Sequence, residues 1–131
     1  MKNFIVKVDS DEGKYIKFTS DLFECGTIWN KLPRGVYITC LTPRRECFFE
    51  ALEAMFDEIE RLHLKFRYTA PQPPVELFLI KRGYVRYVDA PGTPEYCNCA
   101  ISPSCVLAPR TEEEIEALDR MILESGFSAV P

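Results

Sequence analysis

Cys97 and Cys99, one residue apart, with Cys105 six residues further on, make the sharpest local pattern in this chain. In extended backbone, residues two apart project to the same side, so both thiolates would face one ion. Cys105 would close a third corner, with a fourth ligand drawn from Cys25, Cys47 or His63. A tetrahedral, thiolate-rich set of this kind takes zinc and is structural when closed. The spacing is not that of two separated C-x-x-C units, the stronger zinc signature. The competing chemistry is disulfide formation, for which all six cysteines (Cys25, Cys40, Cys47, Cys97, Cys99 and Cys105) are candidates. A bridge from Cys97 or Cys99 to Cys25 would pin a loop to the sheet. Cys40 and Cys47 bracket a strand-to-helix connection and would pair if that turn is tight. Structural bridging is favoured over metal binding and over buried thiols. No C-x-x-C stands at a helix start to lower a thiol pKa, which argues against a redox role.

A second constellation is basic and aromatic. Between Arg61 and Val88 six cations face one acid, Glu76, in a chain whose net charge is −4. Strand alternation puts Lys65 and Arg67 on one face, and Tyr84 with Arg86 on one face of a later strand; Lys81 and Arg82 lie between. A sheet presenting Lys65, Arg67, Lys81, Arg82, Tyr84 and Arg86 would let bases stack on rings while phosphates meet cations. That is the alternative functional reading, a single-stranded nucleic-acid binder. The bland one is a solvated sheet face whose charges offset an acidic helix. The overall negative charge argues against general phosphate coating.

For catalysis the inventory is poor. His63 is the only histidine, and the pattern places it at the end of a helix, packed or set against the terminal carbonyls. No Gly-rich phosphate cradle or nucleophile elbow is present. The acidic run Asp9-Ser10-Asp11-Glu12-Gly13 lacks the glycine and distal glutamate positions of a calcium loop. The chain is therefore expected not to be an enzyme, and to need no cofactor unless the cysteines take zinc.

Composition bears on setting. No apolar run approaches the ~18 residues of a membrane span, and Met1-Lys2-Asn3-Phe4 leads into strand-like alternation rather than a signal-peptide core. A cytoplasmic location without membrane contact is expected. Six cysteines in an intracellular chain conflict with reducing conditions, except in hyperthermophiles, whose intracellular proteins carry disulfides. The only amide side chains, Asn3, Asn30, Asn98 and Gln72, point the same way, as do ten prolines and nine Arg against seven Lys. In these features the chain resembles the small orphan proteins of viruses that infect hyperthermophilic crenarchaea. The resemblance is compositional, spread over the whole chain, and implies a viral protein acting in the host cytoplasm.

These groups must be positioned by recognisable elements. Phe4, Val6 and Val8 alternate toward a polar turn at residues 9–13, and Tyr15–Phe18 alternate after it, which reads as a β-hairpin. Residues 20–35 read as irregular, with Ser20 capping a short turn, before a strand at Val36–Cys40. Thr42 and Pro43 suit the cap and first position of a helix. Phe48, Leu52, Met55, Ile59 and Leu62, widened by Phe49 and Phe56, give it a broad apolar stripe to residue 63. Strands are expected at Leu64–Thr69, Val75–Lys81 and Tyr84–Val88, with a tight hairpin at Arg82-Gly83. Asp89–Pro109 reads as a loop held by something other than a ladder. Thr111 with Glu114 is a capping-box pattern opening a short amphipathic helix that stops at Gly126. The stretch Arg110–Glu114, Leu118-Asp119 and Gly126-Phe127-Ser128 resembles the strand-to-first-helix part of a ribbon-helix-helix DNA-binding unit over about 20 residues. The strand before it, Cys105–Ala108, lacks the polar side chains that read bases.

The expected architecture is one α+β domain over residues 1–131: a mainly antiparallel sheet, one long helix (43–63) across a face, and a short C-terminal helix. The expected function is that of a small, rigid, non-enzymatic binding protein. Its partner would be another protein or a second copy of itself, joined through an exposed edge strand or helix flank.

Overall fold

The chain opens with strands in hairpin succession: β1 (Lys7–Asp11), β2 (Tyr15–Thr19), β3 (Thr27–Leu32) and β4 (Gly35–Cys40), each antiparallel to the one before. The computed structural model describes residues 7–11, 14–32, 35–89, 92–98, 104–127 and 130. By its contacts the chain divides into two compact units, Met1–Arg67 and Tyr68–Pro131. It is α+β, with mainly antiparallel strand pairing.

β3 replaces part of the stretch expected to be irregular. Thr27 and Trp29 are fully buried and Asn30 is exposed. The period of two is there, but Asn30-Lys31 disguises it. Ser20 does cap a turn: its Oγ accepts the Leu22 N–H at 3.2 Å.

The helix after β4 starts later than expected. Thr42 is engaged elsewhere, its carbonyl accepting Glu24 N–H (2.8 Å) and its hydroxyl accepting Cys25 N–H (3.3 Å), while Pro43 bridges to Phe23. A 3-10 turn at Arg45–Cys47 therefore precedes α1 (Phe48–Arg61). Most of the expected stripe is buried, Phe49, Leu52, Met55, Phe56 and Ile59 joined by Ala51, while Phe48 and Leu62 are half-buried; Glu50, Glu53, Asp57 and Glu60 are exposed. Phe56 meets Trp29 of β3 edge to face at 6.1 Å and Phe66 at 5.1 Å, and Trp29 meets Phe66 at 6.0 Å. Such pairs add about 0.5–1.5 kcal/mol each beyond area burial. Phe66 opens β5 (Phe66–Thr69), whose first two residues pair in parallel with Val36 and Tyr37 of β4. The unit division falls inside β5.

In the second unit the expected strand Val75–Lys81 and the hairpin after it are instead α2 (Pro73–Lys81). A short apolar run does not distinguish strand from helix by periodicity. Here Pro73 and Pro74 occupy the first helical positions, where their fixed φ and missing N–H cost nothing. Gly83 then ends the helix at φ +91°: its N–H donates to Ile80 O and that of Tyr84 to Leu79 O. The expected loop 89–109 contains β7 (Pro94–Cys97) and β8 (Val106–Leu107), which flank β6 (Val85–Val88) in the order β7-β6-β8. Proline at the first position of β7 is tolerated there and hid the strand. α3 (Glu112–Glu124) has the full capping box. At 13 residues against 14 for α1, it removes the expected contrast between one long and one short helix.

α1 ends in the same motif as α2, with His63 N–H on Glu60 O and Leu64 N–H on Ile59 O. His63, exposed, takes the left-handed position at φ +54°, usually left to glycine. Relief of that strain outweighs the added chain entropy of glycine. His63→Gly should stabilise the protein by about 0.5–1 kcal/mol, and His63→Val should destabilise it by at least about 1 kcal/mol. Denaturant midpoints at constant slope measure both.

Candidate interaction edge

The first turn of α2 places a carboxylate in the core: Glu76 is 5% exposed. Glu76 Oε2 accepts Tyr96 Oη–H at 2.6 Å and Arg110 Nε–H at 2.8 Å, Oε1 accepts Arg110 Nη2–H at 3.2 Å, and Arg86 Nε lies 3.7 Å from Oε2. Arg86 and Tyr96 are cross-strand partners on β6 and β7, so sheet alternation brings both to the side of α2. Burial first, then the bond to Glu76, pushes the Tyr96 phenol above its ordinary value, keeping it a donor. Hydrogen bonding to Glu76 likewise holds Arg110 above its ordinary value. A charge so removed from water is tolerable only with such partners.

The same cations hold the polypeptide on either side of Ala108. Arg86 Nη1 donates to Ala108 O at 2.6 Å, and Ala108 N–H donates to Arg86 O at 3.1 Å. Two residues on, Arg110 spans Glu76 and Glu114, with Nη1 at 2.7 Å from Glu114 Oε2. Thr111 N–H donates to Glu114 Oε1 at 3.0 Å, and Glu114 N–H to Thr111 Oγ1 at 3.2 Å. The cap bond from Thr111 and the Arg110 contact lower the Glu114 carboxyl to about 2.

So anchored, β8 lies on β6, with Leu107 opposite Tyr87 and Val106 opposite Val88. Yet Val106 is 68% and Leu107 62% exposed. β8 is the last strand in its sheet order, and among the described residues no strand pairs with its outer edge. The result is a fixed edge strand carrying two apolar side chains in solvent.

The opposite side of β6 and β7 holds a second buried carboxylate. Glu95, 5% exposed, accepts Tyr87 Oη–H at Oε2 and the Thr69 hydroxyl at Oε1, at 3.4 Å. Sequence reasoning counts Glu76 only as the acid opposing the basic stretch and passes over Glu95. Glu76 stands inside the apolar run Val75–Ile80, and Glu95 lies between Pro94 and Tyr96. A lone acid in an apolar run is the signal that would have found the first.

The expected nucleic-acid platform is not assembled as a sheet face, because its middle strand is helix α2. Lys65 and Arg67 belong to the first unit, where Arg67 donates to the Tyr37 hydroxyl and lies 5.5 Å from that ring. In the second unit Lys81 Nζ donates to Val130 O, Arg82 to the Tyr84 hydroxyl, and Arg86 turns inward to Glu76 and Ala108.

The cysteines sort differently from the expected pairs. Cys25 Sγ lies 3.8 Å from Cys40 Sγ, and Cys47 Sγ faces Leu22 O. Cys97 is buried on β7 and Cys105 half-buried before β8. Cys99, shared by the proposed zinc and disulfide sets, lies outside the described residues. Among the described residues no group of three His, Cys, Asp or Glu side chains is placed to hold a metal ion, and no helix is long and apolar enough to cross a membrane. Comparison with known proteins gives no further guide: no family model, curated protein or solved structure matches the chain.

Removing the Glu76 carboxylate takes from Tyr96 and Arg110 the acceptor they share and from Arg86 its ion-pair partner. Glu76→Ala should destabilise the protein by about 3–5 kcal/mol in denaturant unfolding. Glu114 gives a pH signature. Its folded value is depressed, so its contribution is complete above the ordinary 4.5 and is lost as pH falls toward about 2. The stability difference between wild type and Glu114→Gln should therefore shrink to nothing over that interval, as urea midpoints at each pH would record.

Proposed function

We propose that this chain is a small binding protein that works by contact, and that β8 is its contact element, joining a second copy of the chain edge to edge. The observation that carries the reading is the combination at β8: an outer edge bearing Val106 and Leu107 in solvent, held rigid by Arg86 and Arg110 through a buried carboxylate. Mobile, charged or proline-capped edges resist pairing, whereas a fixed apolar edge is a template for another strand. A self-complementary edge pairs antiparallel with itself about a two-fold axis, each Val106 and Leu107 packing against the partner strand. Preorganisation lowers the ordering cost of that association. The amide-poor composition fits a protein kept at high temperature.

A strand this short gives a small interface, and small interfaces are weak and transient. Sedimentation velocity from about 1 µM to about 1 mM spans association free energies of roughly −8 to −4 kcal/mol. The wild type should pass from monomer to dimer in that range. Val106→Lys with Leu107→Lys should stay monomeric with an unchanged far-ultraviolet circular dichroism spectrum. A wild type that remains monomeric throughout overturns the proposal, as does a dimer indifferent to the double substitution.

A further inference from the structure

The first unit brings together two thiols that lie 15 residues apart in the chain, Cys25 before β3 and Cys40 at the end of β4, with their sulfurs 3.8 Å apart. The segment around Cys25 is fastened to the exit of β4. Arg44 N–H donates to Leu22 O and Arg44 Nε–H to Asp21 O, both at 2.8 Å. Phe23 bridges Pro43, and Glu24 N–H donates to Thr42 O at 2.8 Å. The two sulfurs are thus held as neighbours by backbone on both sides. A disulfide needs about 2.05 Å, so from 3.8 Å each sulfur would move by about 0.9 Å.

The two thiols are not equivalent. Cys25 is exposed and Cys40 half-buried. Thr42 Oγ1 accepts Cys25 N–H at 3.3 Å and lies 2.9 Å from Cys25 Sγ, within hydrogen-bond reach of it. That contact, with the neighbouring Cys40 sulfur, sets the position of the Cys25 side chain. Burial, reinforced by the adjacent Cys25, pushes the Cys40 thiol above its ordinary value. This division is that of an attacking thiol and a resolving one.

We propose that Cys25 and Cys40 form a thiol–disulfide exchange site for low-molecular-weight disulfides of the glutathione class. The Cys25 thiolate attacks one sulfur of the disulfide, forming a mixed disulfide and expelling one thiolate, which takes up the proton Cys25 lost. Cys40, deprotonated in turn, attacks Cys25 Sγ, forms the Cys25–Cys40 bond and expels the second thiolate, which takes up the Cys40 proton. The protein pair loses two electrons, the small disulfide gains two, and two small thiols are released. Absence of C-x-x-C does not bar this chemistry, because the fold supplies the proximity that a local motif would.

The test uses the full chain, reduced and freed of reductant, incubated with oxidised glutathione, quenched by alkylation and mapped by peptide mass. The Cys25–Cys40 linkage should form ahead of any other. Cys40→Ser should stop at a glutathione adduct on Cys25, and Cys25→Ser should leave Cys40 unmodified over the same interval. Thr42→Val should slow adduct formation on Cys25 in the Cys40→Ser background by about ten-fold, the effect of one hydrogen bond to a charged group. Circular dichroism verifies that each variant is folded. The proposal is overturned if the native wild type forms no such linkage while the denatured chain oxidises. It is equally overturned if adducts in Cys40→Ser fall on the other cysteines as readily as on Cys25.

Discussion

The second unit is organised around Glu76, one of the two carboxylates among its described residues that have left water. Glu76 sits in the first turn of α2; β7 and the segment entering α3 each send it a donor, Tyr96 and Arg110, and β6 brings the Arg86 charge within 3.7 Å. No one of these contacts is exceptional by itself. Their convergence means that the helix, the hairpin and the C-terminal segment share one electrostatic constraint, and a shift in any of them strips partners from a buried charge. A hydrophobic substitute of similar volume could give equal stability, but it would not select one arrangement of these elements over near alternatives. Direction-dependent bonds do.

That constraint also explains how an edge strand of two residues stays in place. β8 has little ladder of its own, and its side chains contribute little burial. Its position is imposed from outside, by Arg86 on Ala108 and by Arg110 on Glu76. The apolar pair Val106 and Leu107 is therefore displayed by a scaffold rather than left over from a core. In the first unit the organisation is different. There an aromatic cluster of Trp29, Phe56 and Phe66 ties β3, α1 and β5 together without any buried charge among its members.

What could be read from the sequence follows from which forces are local. The stripe of α1, the Thr111–Glu114 box and the Gly126 stop depend on neighbours within a few residues, and each is where the pattern put it. The β1–β2 hairpin forms, but β1 runs on through Asp9, Ser10 and Asp11, which the pattern gives to the turn, and Phe4 and Val6 of the expected strand lie outside the described residues. The start of α1 was misplaced because Thr42 answers to Glu24 and Cys25, far behind it in sequence. α2 was read as a strand because an apolar run buried all round has no period to reveal, although its two prolines favoured a helix start. β3 and β7 escape notice for a related reason, each owing its place to its neighbours more than to its composition, whereas β8 falls within the strand expected at Cys105–Ala108. The basic stretch looked continuous on paper, but the helix at 73–81 redistributes it. The thiol pair was invisible for the plainest reason, since no spacing rule relates position 25 to position 40.

The chain contains a single tryptophan, and it is Trp29, fully buried at the centre of the first unit. The second unit has no tryptophan, and Tyr68, Tyr87 and Tyr96 lie in its core. Indole emission therefore reports the integrity of residues 1–67 alone, while backbone circular dichroism averages over both units. Nature has in effect labelled one half of the molecule. A melting curve followed by both signals reads whether the two halves lose their structure in one cooperative step or in two.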